Sequence, residues 1–166
     1  EAAYATLTDT DQKTGHRLAG RWLEERGETE AAVLAEHLQR GGEATDAAGW
    51  YSVAARLAAA RNQLKVANEL GERAVACGAA GEVLGCVRAI QAEVHKWWTD
   101  LPKSVAFAVE AAELLPPGTA GWFDAVGDAL VATGRMGEHD TFRPWVDTLL
   151  ATPPVTEQDA AARVKP

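Results

Sequence analysis

Thr99-Asp100-Leu101-Pro102-Lys103-Ser104-Val105-Ala106-Phe107-Ala108-Val109-Glu110-Ala111-Ala112-Glu113-Leu114-Leu115-Pro116 reads as a turn, a helix and a stop. Ser104, Ala108 and Ala111 stand at helical spacing and leave a shallow strip on which a second helix can lie close, with bulky Phe107 and Leu114 beside it. The same order appears upstream, where Asn62-Gln63-Leu64 is followed by Ala67, Gly71 and Ala74. Downstream, Gly134-Arg135-Met136 is followed by His139, Arg143 and Val146. In this alignment 37 residues separate Leu64 from Leu101, and 35 separate Leu101 from Met136.

The helices before these turns carry matching columns. Ala55, Ala92 and Gly127 are small and are expected to be buried at helix crossings; Trp50, Val87 and Trp122 are large and apolar and are expected to pack. A hairpin that cannot cover its own apolar face must stack on neighbours, so the chain reads as all-α, a row of helical hairpins. The third unit departs from the pattern. His139 and Arg143 replace small residues, and Pro144 falls where a second helix should run, which predicts a late start near Asp140 or Thr141.

Asp100-Leu101, Ser104, Phe107, Ala108, Ala111, Leu114 and Pro116 resemble the tetratricopeptide repeat, whose period of about 34 residues is close to the spacing here. The resemblance covers about two and a half units from roughly Glu43 to Pro154. It implies a right-handed superhelix whose first helices line a concave groove. The groove positions of that family correspond to Gly49, Ser52, Arg56, Ala59 and Ala60; to Cys86, Ala89, Glu93, Lys96 and Trp97; and to Gly121, Asp124, Asp128, Val131 and Ala132. Arg56, Glu93, Lys96, Trp97, Asp124 and Asp128 are therefore the candidate partner-binding residues. Ser52 with Arg56 and Ala89 with Glu93 stand in place of the lysine and asparagine clamp that holds a carboxylate terminus in some members. The expected partner is a protein or peptide segment with some basic character, because the third unit offers two carboxylates.

Upstream, residues 9–42 read as a more divergent hairpin. Thr10 is placed to cap a helix with Leu18, Trp22 and Leu23 on one stripe. Gly27 ends it, and a second helix from about Thr29 to Arg40 carries Val33, Leu34, His37 and Leu38 before Gly41-Gly42. The strings Gly15-His16-Arg17-Leu18-Ala19, Trp22-Leu23-Glu24 and Leu34-Ala35-Glu36-His37-Leu38 resemble the segment joining an ATPase module to a helical-repeat tail in large bacterial signal-transducing ATPases and their serine/threonine-kinase relatives. That implies a regulatory or sensor role beside other domains of a longer parent, whose ATPase or kinase chemistry would lie outside this chain. Glu1 in place of methionine and the interrupted stretch from Val155 to Pro166 fit an excised piece. The expected organisation is one domain, 1–166, with a divergent hairpin at 9–42, three hairpins at 43–154 and the start of a further one at 155–166. An uncovered face on that last segment would allow self-association.

Composition bounds the remaining classes. With 24 acidic and 16 basic residues the formal charge is -8, which disfavours nucleic acid as a partner. The Arg17, Arg21 and Arg26 cluster is interrupted by Glu24 and Glu25 and reads as a solvated face. No apolar run is long enough to cross a bilayer and no signal sequence is visible, so no membrane partner is expected and the cytoplasm is the default compartment. Cys77 and Cys86 read as helical apolar residues rather than a disulfide.

No cofactor and no metal is expected. The four histidines lie on separate segments without the short spacing of a zinc site, and Gly78, Gly81 and Gly85 lack the setting of a phosphate loop. The chain is not expected to be an enzyme; the competing enzymatic reading would use Asp124 and Asp128, four apart, as an acid and base pair. A spacer or oligomerisation scaffold without a ligand is the other alternative. Adjacent Trp97 and Trp98 point about 100° apart on a helix, so one indole is expected in the core and the other near the surface.

Overall fold

The computed structural model describes residues 7–163, apart from the side chains of His139, Thr141, Phe142 and Arg163. Expectations placed on Glu1, Val164 and Pro166, and on the His139 side chain, lie outside the described residues. The described residues form α1 (Asp9–Glu25), α2 (Ala31–Gly41), α3 (Ala44–Ala60), α4 (Leu64–Ala76), α5 (Gly81–Trp97), α6 (Leu101–Leu114), α7 (Ala120–Met136), α8 (His139–Ala151) and α9 (Glu157–Arg163), with no strand among them. Consecutive helices pair as hairpins. Each hairpin packs on the next, and α3, α5, α7 and α9 also touch in succession.

The small-residue columns mark the closest contacts. Ala55, Ala92, Ala67, Ser104, Ala108, Ala74 and Ala111 are all wholly buried. Ser104 Oγ donates to the Ala92 carbonyl at 2.9 Å across the α5/α6 hairpin, so the polar member of the column is satisfied by the helix it crosses. A side chain at Gly71 would meet Val87 Cγ1 at 3.3 Å, which is why the second helix of one hairpin sits so near the first helix of the next.

The third unit obeys a different register from the expected one. Asn62, Thr99 and Gly137 are the left-handed residues of the three turns, 37 and then 38 positions apart, so the third turn is Gly137-Glu138 rather than Gly134-Arg135-Met136. The column of Ala55 and Ala92 therefore continues at Leu130. Gly127 is only half-buried, and no neighbouring atom would touch a side chain there. Ala129 is the residue that joins Ala92 and Ala108 in a buried cluster. Trp122, 3% exposed, does pack, edge-on to Phe123; Trp50 is half-buried and its indole N–H donates to Glu24 Oε1 at 3.2 Å.

Helix α8 does not start late. It begins at His139 and runs through Pro144, whose carbonyl accepts from Thr148 Oγ1 at 2.8 Å. Lacking an N–H, Pro144 removes one rung of the ladder. Arg143 is exposed, and Trp145 and Leu149 hold α8 to the α7 core.

The first hairpin also differs. Thr8, not Thr10, caps α1, accepting from the Asp11 N–H at 3.2 Å, and α2 begins at Ala31. The expected stripe of Leu18 and Trp22 faces solvent, 63% and 56% exposed, with Arg26 stacked on the Trp22 ring. What meets α2 is the smaller, nearly opposite face: Gly20 lies two residues from both Leu18 and Trp22, about 160° round the helix from each. A Cβ on Gly41 would lie 2.7 Å from Arg17 Cα, and one on Gly20 3.1 Å from Leu38 Cδ2. Backbone contact is gained there, and bulky side chains are excluded. On α2, Leu34 and Leu38 are buried as expected, but Val33 is exposed.

Candidate binding face

Because α3, α5 and α7 lie side by side, the side chains they turn away from α4, α6 and α8 share one surface. Arg56 and Ala60 on α3, Cys86, Glu93 and Trp97 on α5, and Gly121, Asp124 and Val131 on α7 are exposed on these helices; Ser52 and Ala132 are buried instead. With the corrected turn, the third-unit equivalents of Cys86, Ala89, Glu93, Lys96 and Trp97 become Asp124, Gly127, Val131, Gly134 and Arg135, none of them buried. Asp124 and Val131 keep a place in the column. Asp128 leaves it but is brought back by a neighbour.

That neighbour is Lys96. Its Nζ binds Asp128 Oδ1, joining α5 to α7 by an ion pair whose side chains are 23% and 17% exposed. Burial raises the Asp128 carboxyl above the ordinary aspartate value; Lys96 opposes this, while Glu93 and Asp124 add to it. Four of the six candidate residues therefore act on one another electrostatically across two helices. Arg56 belongs to the next helix over, close enough to act on the Cys86 thiol; although Cys86 as a residue is exposed, partial desolvation of its thiol, then Glu82, raises the pKa.

Trp97 is 65% exposed and stands next to Lys96 in the chain. Trp98 is not the core member of its pair, being 44% exposed. It is the helix C-cap, where the chain leaves α5, and rests edge-on against His95, the buried residue of this segment. Burial goes to His95 because it lies one helical turn from Ala92 on the face packed against Phe107.

Sequence reasoning missed a second cleft. Between α1 and α3, Arg21 binds Glu24 at 3.2 Å, Glu43 at 3.4 Å and also Asp46, above the half-buried Trp50. Arg21, Glu24, Asp46, Gly49, Trp50 and Val53 line about 380 Å³ of open space. The contacts that cross between the helices join residues 22 to 26 apart in the chain, beyond any single-helix pattern. Cys77 is buried and Cys86 exposed; both are free thiols. Among the described residues, no group of three or more metal-ligating side chains is assembled, and no helix is long and apolar enough to cross a membrane.

Compared with protein-family models, curated proteins and solved structures, the chain shows no match.

Proposed function

We propose that this chain is a tetratricopeptide-like, right-handed solenoid that serves as a protein-interaction or sensor module of a bacterial regulator, taking a basic peptide segment along the face of α3, α5 and α7. The observation that carries this reading is the Lys96 to Asp128 ion pair. It ties two first helices together, and Glu93, Asp124 and the Trp97 indole share the surface around it. An exposed aromatic among carboxylates suits the stem and ammonium or guanidinium head of lysine or arginine. The overall charge of -8 favours approach of such a partner.

The test is a titration of the chain with short peptides matched in length, one set rich in lysine and arginine, the other acidic, read by indole fluorescence. Basic peptides should bind, with affinity reduced by Trp97→Ala and by charge reversal at Glu93 or Asp124. Binding that survives these changes but disappears with Glu72→Arg, an exposed position on α4, would move the functional surface to the second helices.

A further inference from the structure

His16 on α1 and His37 on α2 are 21 residues apart in sequence, yet their Nδ1 atoms stand 3.1 Å from each other. The rings are tilted by 51° with centroids 5.0 Å apart, so this is an edge-to-edge approach of two nitrogens and not a stack. One nitrogen must carry a proton for the contact to be a hydrogen bond. The separation also suits a different occupant. Two imidazole nitrogens bound to one metal ion at about 2.0–2.1 Å, with an angle between square and tetrahedral, stand about 2.8–3.4 Å apart.

We propose that His16 and His37 form a two-nitrogen clamp for a divalent transition-metal ion of the zinc, nickel or copper type, bridging α1 to α2. Imidazole is the ligand class these ions favour. The fold organises the clamp in advance. Arg17, next to His16, meets Gly41 backbone to backbone, and a Cβ added to Gly20 would lie 3.4 Å from the His37 Cβ, so these glycines set the distance between the helices that carry the ligands. Beside His16 an open cleft of about 320 Å³, lined by Asp9, Gln12, Lys13 and Arg40, leaves room for water on the remaining coordination positions. Arg40 and Lys13 also border the cleft; Arg40 is paired with Glu36 at 2.6 Å, which offsets part of its repulsion of positive charge at His16, and Lys13 runs over Gly42. On binding, the ion exchanges two of its waters for the two Nδ1 atoms. The histidine that carried its proton on Nδ1 takes the Nε2–H tautomer, the proton passing through solvent. A bound ion would stiffen the first hairpin, the one whose helices are otherwise joined by a narrow glycine contact.

Zinc, nickel and copper chlorides are added in turn to the apo chain at neutral pH, with heat uptake and thermal unfolding recorded. One ion should bind per chain and raise the unfolding temperature. Affinity should fall by about a hundredfold in His16→Ala and in His37→Gln, because a single ligand loses the advantage of two held on one scaffold, and should be unchanged in Cys86→Ser. Both histidines are half-buried, so far-UV circular dichroism of each variant confirms the helices, and His16→Ala carries the decision if His37→Gln unfolds. The absence of binding in the unaltered chain overturns the proposal. So does binding that persists in His16→Ala or is lost in Cys86→Ser.

Discussion

The Asp159 carboxylate accepts a hydrogen bond from the Ala120 backbone N–H at 2.8 Å, and this joins the last described helix to the first turn of α7. The same carboxylate accepts from the Thr156 backbone N–H at 2.9 Å and the Thr156 hydroxyl at 2.7 Å. An aspartate thus serves two helix starts at once, its own and that of a helix 39 residues upstream.

The Thr156 hydroxyl, then the Ala120 N–H, hold the Asp159 carboxyl below its ordinary value of 3.8. For an acid with a lowered folded pKa, the associated stability is present above 3.8 and is lost as pH falls through the folded value. Acidification should therefore release α9 from α7. The protection of the Ala120 amide, measured relative to its intrinsic exchange rate at each pH, should fall at low pH, and in Asp159→Ala it should be low already at neutral pH.

Asp128 has the opposite sign. Burial raises its pKa, so between 3.8 and the raised folded value the native chain holds a proton that the unfolded chain has released. Its contribution to stability therefore grows as pH falls from neutral through that window. Urea unfolding at a series of pH values should show this gain in the unaltered chain, and Asp128→Asn should abolish it. Identical pH profiles for the two would contradict the assignment.

Ala92 is wholly buried between Ala108 and Ala129 and accepts the Ser104 hydroxyl on its carbonyl. Ala92→Leu should overpack this crossing and cost about 1–3 kcal/mol in equilibrium unfolding. Ser104→Ala removes only the hydroxyl and should cost about 1 kcal/mol.

Trp122 and Trp50 separate the two kinds of tryptophan that look alike in sequence. Trp122→Ala empties a core position and should cost about 3–5 kcal/mol. Trp50 is half-buried, so Trp50→Ala should cost less, and Trp50→Phe should mainly remove the indole bond to Glu24. Thermal unfolding of the three variants orders them.

The hairpin stack was legible because its evidence is local. Ser104, Ala108 and Ala111 lie on one helix at crossing distance, and Asn62 and Thr99 mark turns that repeat at 37. The third register slipped because moving an alanine-rich helix by three residues turns it only about 60° from its starting face. Small residues then still meet small residues, and Gly127 imitates a crossing that belongs elsewhere. Leu18 and Trp22 misled for a related reason: an apolar stripe shows that a face could be covered, whereas Gly20 and Gly41 show which faces can approach. The Lys96 to Asp128 pair and the His16 to His37 contact depend on the offset between helices, and no spacing within one helix encodes that.

Pro144 has a mechanical consequence. Among the described residues α8 has no fully buried side chain and lacks a rung at the proline, so it is a compliant member. Tension entering through α9 does not have to pass along it. The Asp159 carboxylate on Ala120 and the Val155 N–H donating to the Gly118 carbonyl at 3.0 Å carry the load straight to the head of α7. A backbone that touches itself at Gly118 and Pro153, where no side chain would fit, makes that joint a short strut. The row of hairpins thus has a second connection between α9 and α7 that runs in parallel with α8.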